Sequence, residues 1–192
     1  MGSAMSEISV TVEAAIPEER IAMFHRLYEE AFGPLRAKAI ARQVLHPDEF
    51  REEMIDPRVQ KYVAHAHGEP IGVTTLTRHL ETVPWISPDY FAARYPEHAA
   101  RAAIYYAGFT LVAPSARQGA AFHAMIKSVV HVLVAERAAV GWDICSYNNT
   151  RFSFADSIRA VLDEQANVEV AVEDSQIYYA ARFTGDGATK GG

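Results

Sequence analysis

Residues 102–112 read AAIYYAGFTLV, a run with almost no polar side chain on either alternating face. A strand covered on one side alternates apolar with polar residues, so a run apolar at both parities is expected of a central strand with helices on both faces. It stops at Ala113-Pro114, where proline cannot donate to a ladder. After the loop Ser115 to Gly119, the residues Phe122, Met125, Ile126, Val129, Val130, Leu133 and Val134 recur at helical spacing, with His123, Lys127 and His131 toward the other side. Strand, small-residue turn and long helix form the unit around which the rest is placed.

Upstream, Ser6 to Glu13 alternates as a half-buried strand, and Pro17-Glu18-Glu19 opens an amphipathic helix that runs to Gly33-Pro34. Leu35 to Leu45 and Pro47 to Met54 are expected as further short helices. Gln60 to Ala66, the turn Gly68-Glu69-Pro70 and Ile71 to Thr77 predict a hairpin. Residues 79–101 carry three prolines among Trp85, Tyr90, Phe91 and Tyr95 and read as an aromatic insertion with a short helix from Pro88 to Tyr95. Downstream, Val140 to Tyr147 is expected as a strand broken by Asn148-Asn149, Phe154 to Gln165 as a helix, and 167–172 with 176–183 as a last hairpin. The fold class is α/β of the mixed α+β kind: a mixed, mostly antiparallel sheet with helices on both faces, in one domain over 6–183. Residues 1–5 read as a cloning remnant and start, and 184–192 as a loose tail.

The chain has 192 residues, 49% hydrophobic and 22% charged, the balance of a globular protein with a sizeable core. With 18 Lys+Arg against 24 Asp+Glu the net charge is −6. No basic run offsets it, so nucleic acid meets a repulsive field and is excluded as a partner. The apolar stretch Ala120 to Val140 is broken by His123, Lys127, His131, Glu136 and Arg137, which excludes a membrane span. One cysteine, Cys145, cannot form an internal disulfide, and the cytoplasm is the default compartment. A lone cysteine in an apolar strand reads as a core residue before it reads as a nucleophile. His65 and His67 lie two apart on the expected strand but lack a third ligand at motif spacing, so no metal is assigned.

The turn Ala116-Arg117-Gln118-Gly119-Ala120-Ala121 brings small residues to a helix N-terminus, where backbone amides and the helix dipole suit a phosphate or pyrophosphate. The plain alternative is that any strand-to-helix turn needs small residues. With Val112-Ala113-Pro114, Gly119-Ala120-Ala121 and Asn149 in this element order, the chain resembles the GNAT superfamily of acyl-CoA N-acyltransferases over nearly the whole of Ile8 to Phe183. In that family the turn reads Gln or Arg, two residues, Gly, one residue, Gly or Ala. Gly119 and Ala121 fit its second half, while Ala116 stands at the Gln/Arg position and the loop is one residue short, leaving Arg117 or Gln118 to serve there. The resemblance implies a splayed parallel strand pair holding acetyl-CoA or another acyl-CoA. Thr110, Leu111 and Val112 would pair with its pantetheine arm, Arg117 to Ala121 would bind its pyrophosphate, and Asn149 would steady the arm. Leu111 and Val112 are also what any buried strand contains, and Asn149 suits a turn.

Relatives often use a carboxylate on the central strand as base and a tyrosine early in the helix after the asparagine as acid. Here 102–112 contains no Asp or Glu, and that helix offers Phe152 and Phe154. Tyr147, Tyr105 and Tyr106 remain as candidate acids, and His79 and Glu81 as candidate bases from the edge of the insertion. Trp85, Tyr90, Tyr105 and Tyr106 are candidates to line an acceptor pocket, though the insertion's rings would equally suit contact with a second subunit in a homodimer. Two functions follow: transfer of a short acyl group from acyl-CoA to an amine by direct attack, or a non-catalytic relative that binds acyl-CoA or a protein without turnover.

Overall fold

The computed structural model describes residues 8–114 and 118–182. Five strands lie in the order β1 (Ile8–Glu13), β2 (Val59–Ala66), β3 (Glu69–Thr77), β4 (Ile104–Val112) and β5 (Ala139–Gly141). The first four are antiparallel neighbours and the β4–β5 pair is parallel, giving the mixed, mostly antiparallel sheet expected. The β2–β3 turn is made by His67 and Gly68, at φ 53° and 83°. Two positive-φ residues in a two-residue turn match the right-handed twist of the flanking strands. Glu69 and Pro70, expected in the turn, already belong to β3, and His67 is too far round the turn to share a face with His65.

Side chains of alternating parity feed two cores. Val63, Val73 and Leu111 point to the face covered by α1 (Glu18–Phe32) and α2 (Pro47–Ile55), where Phe24, Tyr28, Phe50 and Met54 are buried. Each fully buried phenylalanine contributes roughly 2–3 kcal/mol from area alone. Tyr62, Leu76 and Tyr105 point to the other face and pack on Val129 and Leu133 of α5 (Gln118–Ala135). Of the expected α5 stripe, Val134 is half exposed to water. Short helices α3 (Pro88–Arg94) and α4 (Pro96–Ala99) lie in the insertion, whose Ile86, Phe91 and Tyr95 pack on Leu80, Val83, Ile104 and Tyr106.

Three expected elements differ. Residues 35–45 form only a 3-10 turn, Gly33–Ala37, because Tyr28 Oη accepts the Leu45 N–H at 3.0 Å and donates to the Gln43 carbonyl at 3.4 Å in place of a helical ladder. The strand expected over 140–147 ends at Gly141, and Cys145 instead caps α6 (Ser146–Phe152), which is followed by α7 (Phe154–Gln165). The last hairpin is not formed: 167–182 has no ladder, and Val172, Ile177 and Tyr179 are among its exposed residues. β5 offers only three residues of edge, and a hairpin without a face to bury is marginal in water. Glu173 ties the segment down by accepting from Arg94 Nε at 2.8 Å and Tyr95 Oη at 2.7 Å. Among the described residues no helix is long and apolar enough to cross a membrane.

Candidate active site

The β4–β5 ladder pairs Ile104 with Ala139, Tyr105 with Val140 and Tyr106 with Gly141, then stops while β4 runs on to Val112. On that side, the seam with β5, residues 107–112 have no strand partner among the described residues. The Ala113 N–H donates to the Ile71 carbonyl at 2.7 Å, and Thr74 Oγ1 donates to the Phe109 carbonyl at 3.2 Å. Backbone groups alternate sides along an antiparallel strand, so Phe109 and Leu111 turn theirs to β3 while Thr110 and Val112 turn theirs away from it. Leu111, expected to pair with a ligand, is thus engaged on the wrong side, and its side chain is buried in the core. The far wall is the chain after β5, where Cys145 and Tyr147 pack on the cluster that includes Phe109.

At the mouth of the seam stands the N-terminus of α5. A Cβ added to Gly119 would meet open space, so its small size answers no internal contact. Ala120 is exposed, whereas Ala121 is fully buried against Ala64 and Met125 and is small for packing reasons. Arg117 and the side chain of Gln118 lie outside the described residues. Asn149, expected in a loop after a strand, sits within α6, and its Oδ1 accepts the Ala155 N–H of α7 at 3.2 Å.

Beside the seam, on the α2 face, β4 bulges: the register moves from Thr74↔Thr110 to Leu76↔Ala107, so Gly108 and Phe109 together oppose Thr75. A bulge re-aims side chains and leaves one residue outside the ladder. Gly108 is required there, because an added Cβ would collide with Thr75 Oγ1. Thr75 Oγ1 donates to Glu53 Oε1 of α2 at 2.9 Å. Glu53 keeps some exposure over the residue as a whole, but its carboxyl lies in the crowded floor of the cleft. Burial pushes its pKa up, against the Thr75 hydrogen bond and the Lys61 charge, which lower it. Lys61, fully buried, donates from Nζ to the carbonyls of Asp56 (2.7 Å) and Ala14 (3.0 Å), and burial brings its pKa down to about 8.

The cleft above Glu53 is lined by Thr75, Thr77, Val83, Trp85, Tyr106 and Gly108. Tyr106 Oη and Trp85 Nε1 both donate to Asp143 Oδ1, the latter at 3.2 Å. Burial first, then the Asp143 charge, raises the Tyr106 pKa strongly, so the phenol stays protonated and serves as a fixed donor.

Of the residues proposed from sequence to line a pocket, Trp85 and Tyr106 meet in this cleft and the other two do not. Tyr105 faces α5, its hydroxyl donating to Glu136 Oε2 at 2.8 Å. Tyr90 donates to Glu173 on the surface. Among the candidate acids and bases, His79 and Glu81 pair with each other at 3.3 Å on an exposed rim, with Arg58 at 3.7 Å from Glu81, and neither lines the cleft. Tyr147 receives Lys38 Nζ at 2.9 Å on the opposite wall of the seam. Glu53 was missed because α2 reads as an ordinary amphipathic helix. Its one signal is position: Glu53 precedes the buried Met54 in a run of otherwise solvent-facing charges.

No protein-family model and no curated protein sequence matches the chain. Among solved structures it superposes on aminoglycoside N-acetyltransferase AAC(6')-Iy in complex with CoA, with TM-score 0.52 and 14% identity over 95% of this chain and 99% of that one. It also superposes on aminoglycoside acetyltransferase AAC(6')-Ib in complex with coenzyme A and kanamycin (TM-score 0.52, 17% identity, 80% and 83% covered). The same enzyme with ribostamycin and coenzyme A gives 0.53 at 16% identity, with 80% and 82% covered. Likeness at such identities is likeness of fold, and function has to be argued from the site. With four antiparallel strands, a fifth strand parallel to the fourth and paired only with its first three residues, and a long helix after the fourth strand, the chain has a GNAT-type fold.

Proposed function

We propose that the protein is an N-acyltransferase that moves an acetyl or other short acyl group from acyl-CoA to an amine. The observation carrying this reading is the juxtaposition at the bulge: a stretch of β4 beyond its ladder with β5, where Thr110 and Val112 have no strand partner on that side among the described residues, adjoins a cleft floored by a carboxylate, Glu53. Thr110 and Val112 would pair with the pantetheine amides as an added strand does. The first amides of α5, at Gly119 and Ala120, would face the pyrophosphate. Glu53 would take the proton of the attacking nitrogen as that nitrogen bonds to the thioester carbonyl carbon; the C–S bond then breaks and the thiolate leaves. The residue left out of the ladder at Gly108–Phe109 would offer its N–H to the developing oxyanion. That a structural neighbour is an aminoglycoside acetyltransferase in complex with coenzyme A and kanamycin supports a coenzyme A thioester as donor and an amine as acceptor. A base reaching the bulge from α2 also answers one motive for a non-catalytic reading, the lack of a carboxylate on β4 itself; the absent helix tyrosine and the altered pyrophosphate turn still favour it. The lone, half-buried Cys145 fits a reducing compartment such as the cytoplasm.

The test is a thermal titration with coenzyme A and its acetyl thioester, because a ligand that binds only the native state raises its melting temperature. Saturating acetyl-CoA is expected to raise Tm by several degrees. Gly119→Asp is expected to fold normally, since the added side chain meets open space, and to lose the shift by placing a carboxylate at the proposed pyrophosphate position. Unchanged affinity in that variant would remove the cradle from the reading.

A further inference from the structure

Resting on the acyltransferase reading, we propose that the acceptor is a diamine: a primary amine at the end of an unbranched methylene arm, with a second cationic nitrogen farther along that arm. Charge pairing is the first ground. Among the described residues the other partly buried carboxylates are ion-paired within the chain, as Glu29 is by Arg36 at 2.7 Å and Glu136 by Arg78 at 2.7 Å. Glu53 and Asp143 have no Lys or Arg nitrogen within ion-pair distance among the described residues, although both belong to the cleft region. Lys61, the natural partner for Glu53, instead spends its hydrogen bonds on two backbone carbonyls. Asp143 uses Oδ1 for both Tyr106 and Trp85, which leaves Oδ2 without a donor among the described residues.

Shape is the second ground. The cavity above Glu53 has a volume of about 20 Å³, little more than the ~10–15 Å³ that a single water requires. An ammonium or aminomethyl end fits such a space. A carbon branched beside the nitrogen, as in an α-amino acid amide or most peptide N-termini, is expected to fit less well between Val83 and Thr77, which wall the cavity. The rim supplies what the far end of the arm needs: the free Asp143 oxygen and the half-exposed ring of Trp85, an electron-rich face for a cation. Small polyamines and a lysine side chain next to a second cationic residue share this chemistry.

The experiment measures thiol release from acetyl-CoA with 1,4-diaminobutane, butylamine, leucinamide and a short peptide containing adjacent lysines but a blocked N-terminus. The diamine is expected to exceed butylamine at least 10-fold in kcat/KM, with leucinamide at background. The advantage should shrink as salt rises from 50 to 500 mM, because the rim contact is exposed. The blocked peptide separates the two sources: turnover comparable to the diamine assigns lysine side chains, and background turnover assigns free polyamines. Asp143→Asn, which keeps an oxygen for Tyr106 and Trp85, is expected to reduce the diamine's advantage to within about 2-fold through KM. Butylamine equal to the diamine, a preference for leucinamide, or an advantage insensitive to both salt and Asp143→Asn would overturn the proposal. Should Asp143→Asn not fold, the wild-type series and its salt dependence decide alone. If acetyl-CoA raises Tm and no amine is acetylated, the acyltransferase reading fails, and the acceptor proposal with it.

Discussion

Tyr105 and Tyr106 are neighbours on β4, and their surroundings are opposite. Tyr105 points to α5, where its hydroxyl joins Arg78 and Glu136 in an ion-paired group; Arg101 closes the same corner through the Glu136 and Arg137 carbonyls at 3.0 Å each. Tyr106 points to the opposite face, packed against the aromatic insertion, and its hydroxyl holds Asp143, an exposed aspartate with no Lys or Arg at ion-pair distance among the described residues. On one face polar groups are matched against each other, which favours stability; on the other, charge is left for something outside the chain. A site that must bind a cation cannot satisfy its own carboxylates in advance, and unmatched buried charge costs folding free energy.

The largest expected effect breaks this contrast on the open side. Glu53→Gln should lower kcat by roughly 10²–10⁴-fold, the usual range for a lost general base, with the acetyl-CoA thermal shift retained. The stability sign is opposite. Burial raises the Glu53 pKa in the folded state, so the carboxylate is penalised at any pH above its unfolded pKa, and stability falls as pH rises through the folded value. Glu53→Gln should therefore melt higher than the parent at pH 7 and lose that advantage in acid. The wild-type kcat/KM should rise with pH along a limb set above the ordinary carboxylate range. The matched control, Glu136→Gln, should lose at most about 1 kcal/mol of stability and stay within 2-fold in rate. Equal rates for the two variants would mean that the faces do not differ in function.

A smaller effect is expected where the closed half of the seam ends. A Cβ on Gly141 would lie 2.6 Å from Phe91 and 3.2 Å from Tyr106, so Gly141→Val overpacks the contact between β5 and the insertion. The cost should be about 1–3 kcal/mol, read as a lower denaturant midpoint. An unchanged midpoint would show that α3 is free to move off the sheet and that the cleft's aromatic wall is not fixed.

How much of this was legible follows from what kind of signal each residue leaves. The strand at 102–112, the long helix after it and the hairpin before it were readable because periodicity reports burial, and burial decides those elements. Period two alone would also have separated Tyr105 from Tyr106, since adjacent strand residues face opposite sides; reading both as pocket residues ignored that rule. The short β5 and the helix at Ser146 were not readable. What ends β5 is the capture of Asp143 by Tyr106 and Trp85, a contact spanning 58 residues from Trp85 that leaves no local pattern. The missing final hairpin is the reverse case: 167–182 carries the right alternation but has no face to cover. Glu53 looked like one more charge on a solvated helix, and only the glycine and the bulge opposite it, visible in three dimensions, make a cleft around it.

The finest test removes one oxygen at a time. Tyr105→Phe deletes a hydroxyl shared between Arg78 and Glu136, which can still bond each other, so the loss should be about 1 kcal/mol or less with turnover unchanged. Tyr106→Phe should cost a similar amount of stability, because Trp85 still donates to Asp143. Its distinctive consequence is in binding. With one of its two donors gone, Asp143 is less firmly placed at the rim, and KM for a dicationic amine should rise several-fold more than KM for a monoamine. Tyr105→Phe should move neither. If the two variants have the same KM profile, the unneutralised aspartate is only a surface charge, and the two faces of β4 differ in packing alone.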